Sequence, residues 1–233
     1  LLPPLTEILQ REMMEMIKQV SAILLFGVVG KSMMEARSFE EELAFYGSYH
    51  QDPINQAIHF VFVPTIWWSI CVFMAYVDIP GLKGATVPGT KHPLTFATVM
   101  YLVYASYYLQ LDLYCGGMFS VVLGLLYLQA STSVQKEKLA GNKFHGTKMY
   151  QIAFVLHAIA WYMQIHPGHA VFEKVKPALL DSLGQSFGVA PLFAFLEGFW
   201  AMGFAPELKR SVADAVRQRR LEMCIADSSF AFC

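Results

Sequence analysis

Between Asp52 and Asp78 the chain carries no Asp, Glu, Lys or Arg, and the interval is filled with Ile, Val, Phe and Trp. About 20 such residues suffice to cross the hydrocarbon of a bilayer as a helix. Other apolar blocks follow it. Hydrophobic residues make up 55% of the 233 and charged residues 15%, with a mean hydropathy of +0.42, whereas an ordinary soluble domain has roughly 25% charged residues. The charges gather in 1–42, 78–92, 132–148, 173–181 and 207–226, leaving apolar stretches between them. The pattern predicts an all-α, multi-span helical membrane protein seated in a lipid bilayer. A net charge of −1, with no basic stripe interleaved with aromatics, argues against a nucleic-acid partner.

Local signals place the boundaries. Residues 1–37 read as an amphipathic N-terminal helix, because their apolar run 22–29 is too short to span and suits a surface or a partner. The chain begins at Leu1 instead of Met, so an upstream segment is expected. Ser38 followed by Glu41 forms a capping-box pattern and starts the next helix. Asp52-Pro53 combines a good N-cap with a residue favoured at the first helical position. The first span is therefore expected over 54–77. Four more are expected over 94–113, 118–130, 149–165 and 187–204, which makes about five apolar helices. Three regions result: an amphipathic extension (1–37), a helical membrane domain (38–205) and a charged C-terminal tail (206–233). The extension and the tail are the expected surfaces for protein partners. The four cysteines show no C-x-x-C pair, so no disulfide framework is expected.

Five crossings bring the start of the first span and the end of the fourth to one membrane face. His50 and His59 then converge with His157, His166 and His169. Imidazole is the commonest metal ligand, and ionisable groups at membrane depth mark functional sites. Any one of these histidines alone reads as a surface or hydrogen-bonded core residue; their convergence points to a metal. Asn55 and His59, four apart, share a helix face, as do His157 and Trp161. Pro167-Gly168 is expected to break the helix and turn His169 back toward it. Glu173, four residues further, is placed to accept the second ring proton of His169. Glu197 lies inside the fifth apolar segment and needs a partner there. His92 and His145 fall in loops of the other face, as ordinary surface residues. That face also collects most of the 17 Lys and Arg, so the positive-inside rule turns the site away from the cytosol.

All-imidazole sites suit zinc, copper and iron. No H-x-x-H-H box occurs, and four or five histidines fit one ion better than two. Two chemistries follow from the residues: a ferrous centre open to oxygen and substrate, or a zinc hydrolase with Glu173 as general base.

The same residues resemble the membrane-bound 2-hydroxy fatty acid dioxygenases of phytosphingosine degradation in the endoplasmic reticulum. The matching pieces are Phe45-Tyr46-Gly47-x-Tyr49-His50, Asn55-x-x-Ile58-His59 and Val63-Pro64. Downstream come His157-x-x-x-Trp161-x-x-Gln164, Gly168-His169-x-x-Phe172-Glu173 and Lys176-Pro177-Ala178-Leu179-Leu180-Asp181. The resemblance covers about 38–205. In the family's pattern two residues separate Gln from Gly-His, whereas Ile165-His166-Pro167 stand here, which makes His166 an extra histidine. The resemblance implies Fe2+ on His50, His59, His157 and His169, with Tyr49, Asn55 and Glu173 serving the reaction and Tyr46 also able to orient the acid. It implies oxidation of a 2-hydroxy fatty acid by O2 to the acid one carbon shorter, at the endoplasmic reticulum membrane. That conversion releases the four electrons one O2 accepts, and no G-x-G-x-x-G fingerprint suggests a nicotinamide. The alternative is a non-catalytic accessory subunit of a large membrane assembly that retains the histidine site.

Overall fold

The computed structural model describes residues 27, 38–141 and 148–226; the amphipathic helix expected over 1–37 (residue 27 apart) and His145 fall outside them. Among the described residues all regular structure is helical, apart from the isolated bridges Asp78–Thr95 and Thr86–Pro93. Helix α1 (Phe39–Gly47) starts on the predicted capping box: Glu41 N–H donates to Ser38 Oγ, and Ser38 N–H to Glu41 Oε2. Helix α2 (Pro53–Met74) starts where Asp52 Oδ1 accepts from the amides of Ile54 and Asn55. Both beginnings are set by a few neighbouring residues, which is why the sequence alone locates them.

Helices α3 (Phe96–Leu111), α4 (Cys115–Leu139) and α5 (Met149–Met163) complete an antiparallel set of four with α2. Two of the four, α2 and α4, are long and apolar enough to cross a membrane on their own. At the far end, Phe96 N–H bonds Val77 O, and Glu137 of α4 accepts from Tyr76 Oη and Met149 N–H. At the near end, α3 and α4 approach so closely at Gly116 that a Cβ there would lie 1.9 Å from the Tyr108 carbonyl oxygen. Only glycine fits that corner. Helix α4 runs well past the expected end at 130, because Ser131 and Ser133 are buried and Glu137 is held by its partners. Exposed Val61, Leu102, Leu109, Val121, Leu125, Phe154 and Val155 give all four helices an apolar outer surface.

The segment after α5 differs from expectation. Pro167-Gly168 does not break the helix; the chain widens into a π-helical stretch, Gln164–Glu173, that keeps Pro167 inside it. Proline has no N–H to give, and the longer i→i+5 register accommodates its ring. A short 3₁₀ turn, Ala178–Leu180, leads to α6 (Leu183–Ala201).

Helix α6 lies across the near end of the set. The carbonyls of Phe187 and Gly188 accept from the Tyr104 and Tyr108 hydroxyls, Phe195 stacks on Phe119, and Gly198 meets Phe60. All of these partners lie in the near halves of α2, α3 and α4. Helix α7 (Pro206–Ala226), the charged tail, then folds back onto α1, with Val212 and Val216 buried and Arg219 over the Phe45 ring. The tail therefore sits beside α1, not at the opposite end where five crossings would carry it, with Val212 and Val216 packed on its own chain and Leu221 and Ile225 exposed. Cys71 and Cys115 are buried free thiols.

Candidate metal centre

Three histidines from three elements meet at the near end. His50 follows α1, His59 lies on the second turn of α2, and His169 sits in the π-helical stretch. All are almost fully buried. Their ring centroids are 4.5 Å (His50–His59), 4.9 Å (His50–His169) and 5.1 Å (His59–His169) apart, every pair edge to face. One nitrogen from each ring lies within 4.8 Å of the others.

The backbone decides which nitrogen. His50 Nδ1 bonds Tyr46 O at 2.8 Å, His59 Nδ1 bonds Asn55 O at 2.9 Å, and His169 Nδ1 bonds Val175 O at 3.2 Å. A carbonyl only accepts, so each Nδ1 carries the proton and each Nε2 is left with a lone pair. Burial pushes the His50 imidazole well below its usual range, with His59 and His169 adding to the effect, and burial holds His169 down at about 4. Both rings are thus neutral near pH 7. His50 Nε2 is buried with no hydrogen-bond partner, and an orphaned buried lone pair is costly unless something fills it. Three neutral imidazoles steadied through Nδ1 fit a divalent transition metal.

The surroundings hold the triad in place. Tyr46 stacks on His50, with centroids 4.0 Å apart at 11°. The carboxylate of Glu173 accepts from the amides of Gln51 and Asp52 and from Asn55 Nδ2, tying the π-helical stretch to the start of α2. Glu173 therefore does not take the His169 ring proton; the Val175 carbonyl does. A Cβ on Gly168 would stand 2.5 Å from Asn55 Oδ1 and 3.5 Å from His59 Cε1, so glycine lets the two segments close over the site. The Tyr49 hydroxyl donates to Asp181 at 2.5 Å, and Lys176 pairs with the other oxygen of that carboxylate at 2.6 Å, latching the 174–182 loop onto α1.

His157 is not brought into the group. Its Nδ1 lies 2.7 Å from Ser69 Oγ, and its Nε2 accepts from Trp161 Nε1 at 2.9 Å. His166 is exposed and stacks on Tyr162. Glu197 is buried near Gln56, without a hydrogen bond of normal geometry.

The triad opens into an apolar cleft of about 590 Å³, mouth included, walled by Ile66, Trp67, Ile70, Trp161, Phe187 and Pro191 among others. Three buried polar atoms on residues of this wall lack partners: Gln164 Nε2, Ser186 Oγ and Trp67 Nε1. Sequence reasoning passes over Ser186 and Trp67, since a serine and a tryptophan in apolar segments carry no local signal. Gln164 appears in a motif, and only the fold shows its amide unpaired beside the cleft.

Comparison with known proteins gives the family of the chain. The profile described as 2-hydroxy-palmitic acid dioxygenase Mpo1-like matches residues 36–200. The 2-hydroxy-palmitic acid dioxygenase MPO1 of Saccharomyces cerevisiae is 32% identical over 197 residues, covering 84% of this chain and 98% of the yeast protein. No solved structure matches the chain.

Proposed function

Because the chain belongs to the Mpo1-like family of 2-hydroxy-palmitic acid dioxygenases, we propose that it is an Fe2+-dependent dioxygenase converting a 2-hydroxy fatty acid and O2 into the acid one carbon shorter, carbon dioxide and water. The observation that carries the reading is the set of three buried, Nδ1-protonated imidazoles at the head of an apolar cleft. His50, His59 and His169 would hold the iron, which when bound supplies Lewis acidity and the activation of oxygen. His157, with both ring nitrogens engaged, is left out of this ligand set.

The chain's own residues prepare the acid. The aliphatic tail lies along Ile66, Ile70 and Phe187, whose walls take only apolar surface. Gln164 Nε2 and Ser186 Oγ donate to the oxygens of the carboxylate and 2-hydroxyl, which satisfies both sides. Tyr46 lines the same space. Tyr49 and Asn55, committed to Asp181 and Glu173, act by holding the site closed. The latched loop contributes Pro177 and Leu179 to the cleft and keeps bulk water out.

Helices α2 to α5 cross the bilayer in this reading, at the endoplasmic reticulum. With α7 on the site face, Lys209, Arg210, Arg217, Arg219 and Arg220 move there too, and the positive-inside rule now turns the site toward the cytosol. Introduced cysteines near Lys176 should then react with an impermeant thiol reagent in intact microsomes. The central test is metal analysis after anaerobic reconstitution with Fe2+ and desalting, followed by turnover of 2-hydroxypalmitate. One iron per chain with matched oxygen uptake and carbon dioxide release supports the reading. Stoichiometric zinc without oxygen uptake would redirect it to hydrolysis.

A further inference from the structure

His157 stands among the histidines that the family resemblance points to, and its geometry gives it another task. Ser69 is fully buried, and its Oγ already donates to Ile66 O at 2.8 Å, so toward His157 it accepts. His157 Nδ1 is therefore the protonated nitrogen, at 2.7 Å. The indole N–H of Trp161 can only donate, so His157 Nε2 presents its one lone pair to it, at 2.9 Å. Both ring nitrogens are used, and no lone pair remains for a metal. At the triad the carbonyl-bound Nδ1 frees Nε2; at His157 an indole consumes it.

What the imidazole fixes is a wall of the cleft. Trp161 lines it and meets Phe187 of α6 edge to face, with centroids 6.3 Å apart. Ser69 belongs to α2, His157 and Trp161 to α5, and Phe187 to α6. The relay thus locks the indole across the space between α5 and α6. Without it the two side-chain torsions of the tryptophan would be held by packing alone, and other rotamers would open to it.

We propose that His157 is a positioning residue that holds the Trp161 indole as the side wall of the acyl-chain cleft, and so governs how tightly the aliphatic tail of the substrate binds. The proposal rests on the dioxygenase reading for the identity of the tail, but not for the hydrogen bonds themselves.

The test uses the full chain in detergent, reconstituted anaerobically with Fe2+. His157→Ala should keep the wild-type iron content. Its KM for 2-hydroxypalmitate should rise roughly tenfold while kcat changes by less than about threefold, the split expected when ground-state binding is lost. His157→Gln, whose amide can accept from the indole and donate to Ser69, should bring KM back to within about threefold of wild type. Trp161→Phe should reproduce the KM rise, and adding His157→Ala to it should change little more, because the two act through one bond. With ¹⁵N-labelled tryptophan, the Trp161 indole resonance, identified by its loss in Trp161→Phe, should move in His157→Ala and return in His157→Gln. Loss of iron from a helical His157→Ala protein would overturn the proposal, as would an unmoved indole resonance or an unmoved KM. A wild type that retains iron but turns over no 2-hydroxy acid would sink the dioxygenase reading instead. The positioning role is then decided by iron content and the indole resonance.

Discussion

A carboxylate that accepts hydrogen bonds across helices stands at each end of the helix set. At the far end, Glu137 joins the end of α2, through Tyr76, to the start of α5, through Met149. At the near end, Glu173 joins the π-helical stretch to the amides that precede α2 and to Asn55. The two do the same mechanical work, yet the three imidazoles that could hold a metal, and the apolar cleft they open into, lie at the near end. Glu137 closes a complete network: every partner is a group that wanted one bond. Glu173 clamps together two segments whose histidines then face one another with Nε2 free. A structural tie thus differs from a tie that shapes a site by the side chains it gathers, here three imidazoles beside a cleft, and not by the tie itself.

Substitutions can break or sharpen that contrast. The largest effect is expected from His59→Ala or His169→Ala, which should remove bound metal and lower turnover by more than about a hundredfold, with helical circular dichroism retained. Metal analysis and circular dichroism on the same sample check this. Glu173→Gln should follow, with roughly a 10- to 100-fold loss in iron affinity, since it loosens the support around two ligands without removing either. Glu137→Gln, its counterpart, should leave iron affinity unchanged and cost about 1–3 kcal/mol in stability. Equal loss of iron in both variants would show that the two ends are not distinct. Gly168→Ala should lower iron affinity by roughly tenfold, because its Cβ must displace Asn55 Oδ1 from 2.5 Å. Tyr49→Phe should have the smallest effect, about 1 kcal/mol in the latch of the 174–182 loop, read as a modest rise in KM with iron content unchanged.

The near end also shows where sequence reading stops. His50, His59 and His169 are legible because histidines in apolar surroundings are conspicuous, and the capping signals at Ser38 and Asp52 fix the helix that His50 follows and the helix that carries His59. His157 is equally conspicuous, and nothing in its neighbourhood says that Ser69, 88 positions away, and Trp161 occupy its nitrogens. Glu173 is visible as a candidate support, but its partners are amides at 51 and 52, which have no signature in composition. The π-helical stretch escapes because Pro-Gly ordinarily signals a break, and whether the helix widens instead depends on what packs around it. The position of α7 escapes for a similar reason: its charges suggest a solvated tail, while Val212 and Val216 seat it on α1.

The amino-acid order by itself determined the helical class, the capped starts of α1 and α2, the apolar stretches and the set of candidate ligands, all of which follow from short-range chemistry and periodicity. Only the tertiary structure decided which three imidazoles share a point, which nitrogen each presents, that α6 lies across the near end and that α7 returns to it. Those outcomes depend on single hydrogen bonds and close contacts between residues far apart in the chain, and such pairings exist only once the backbone has brought them within reach.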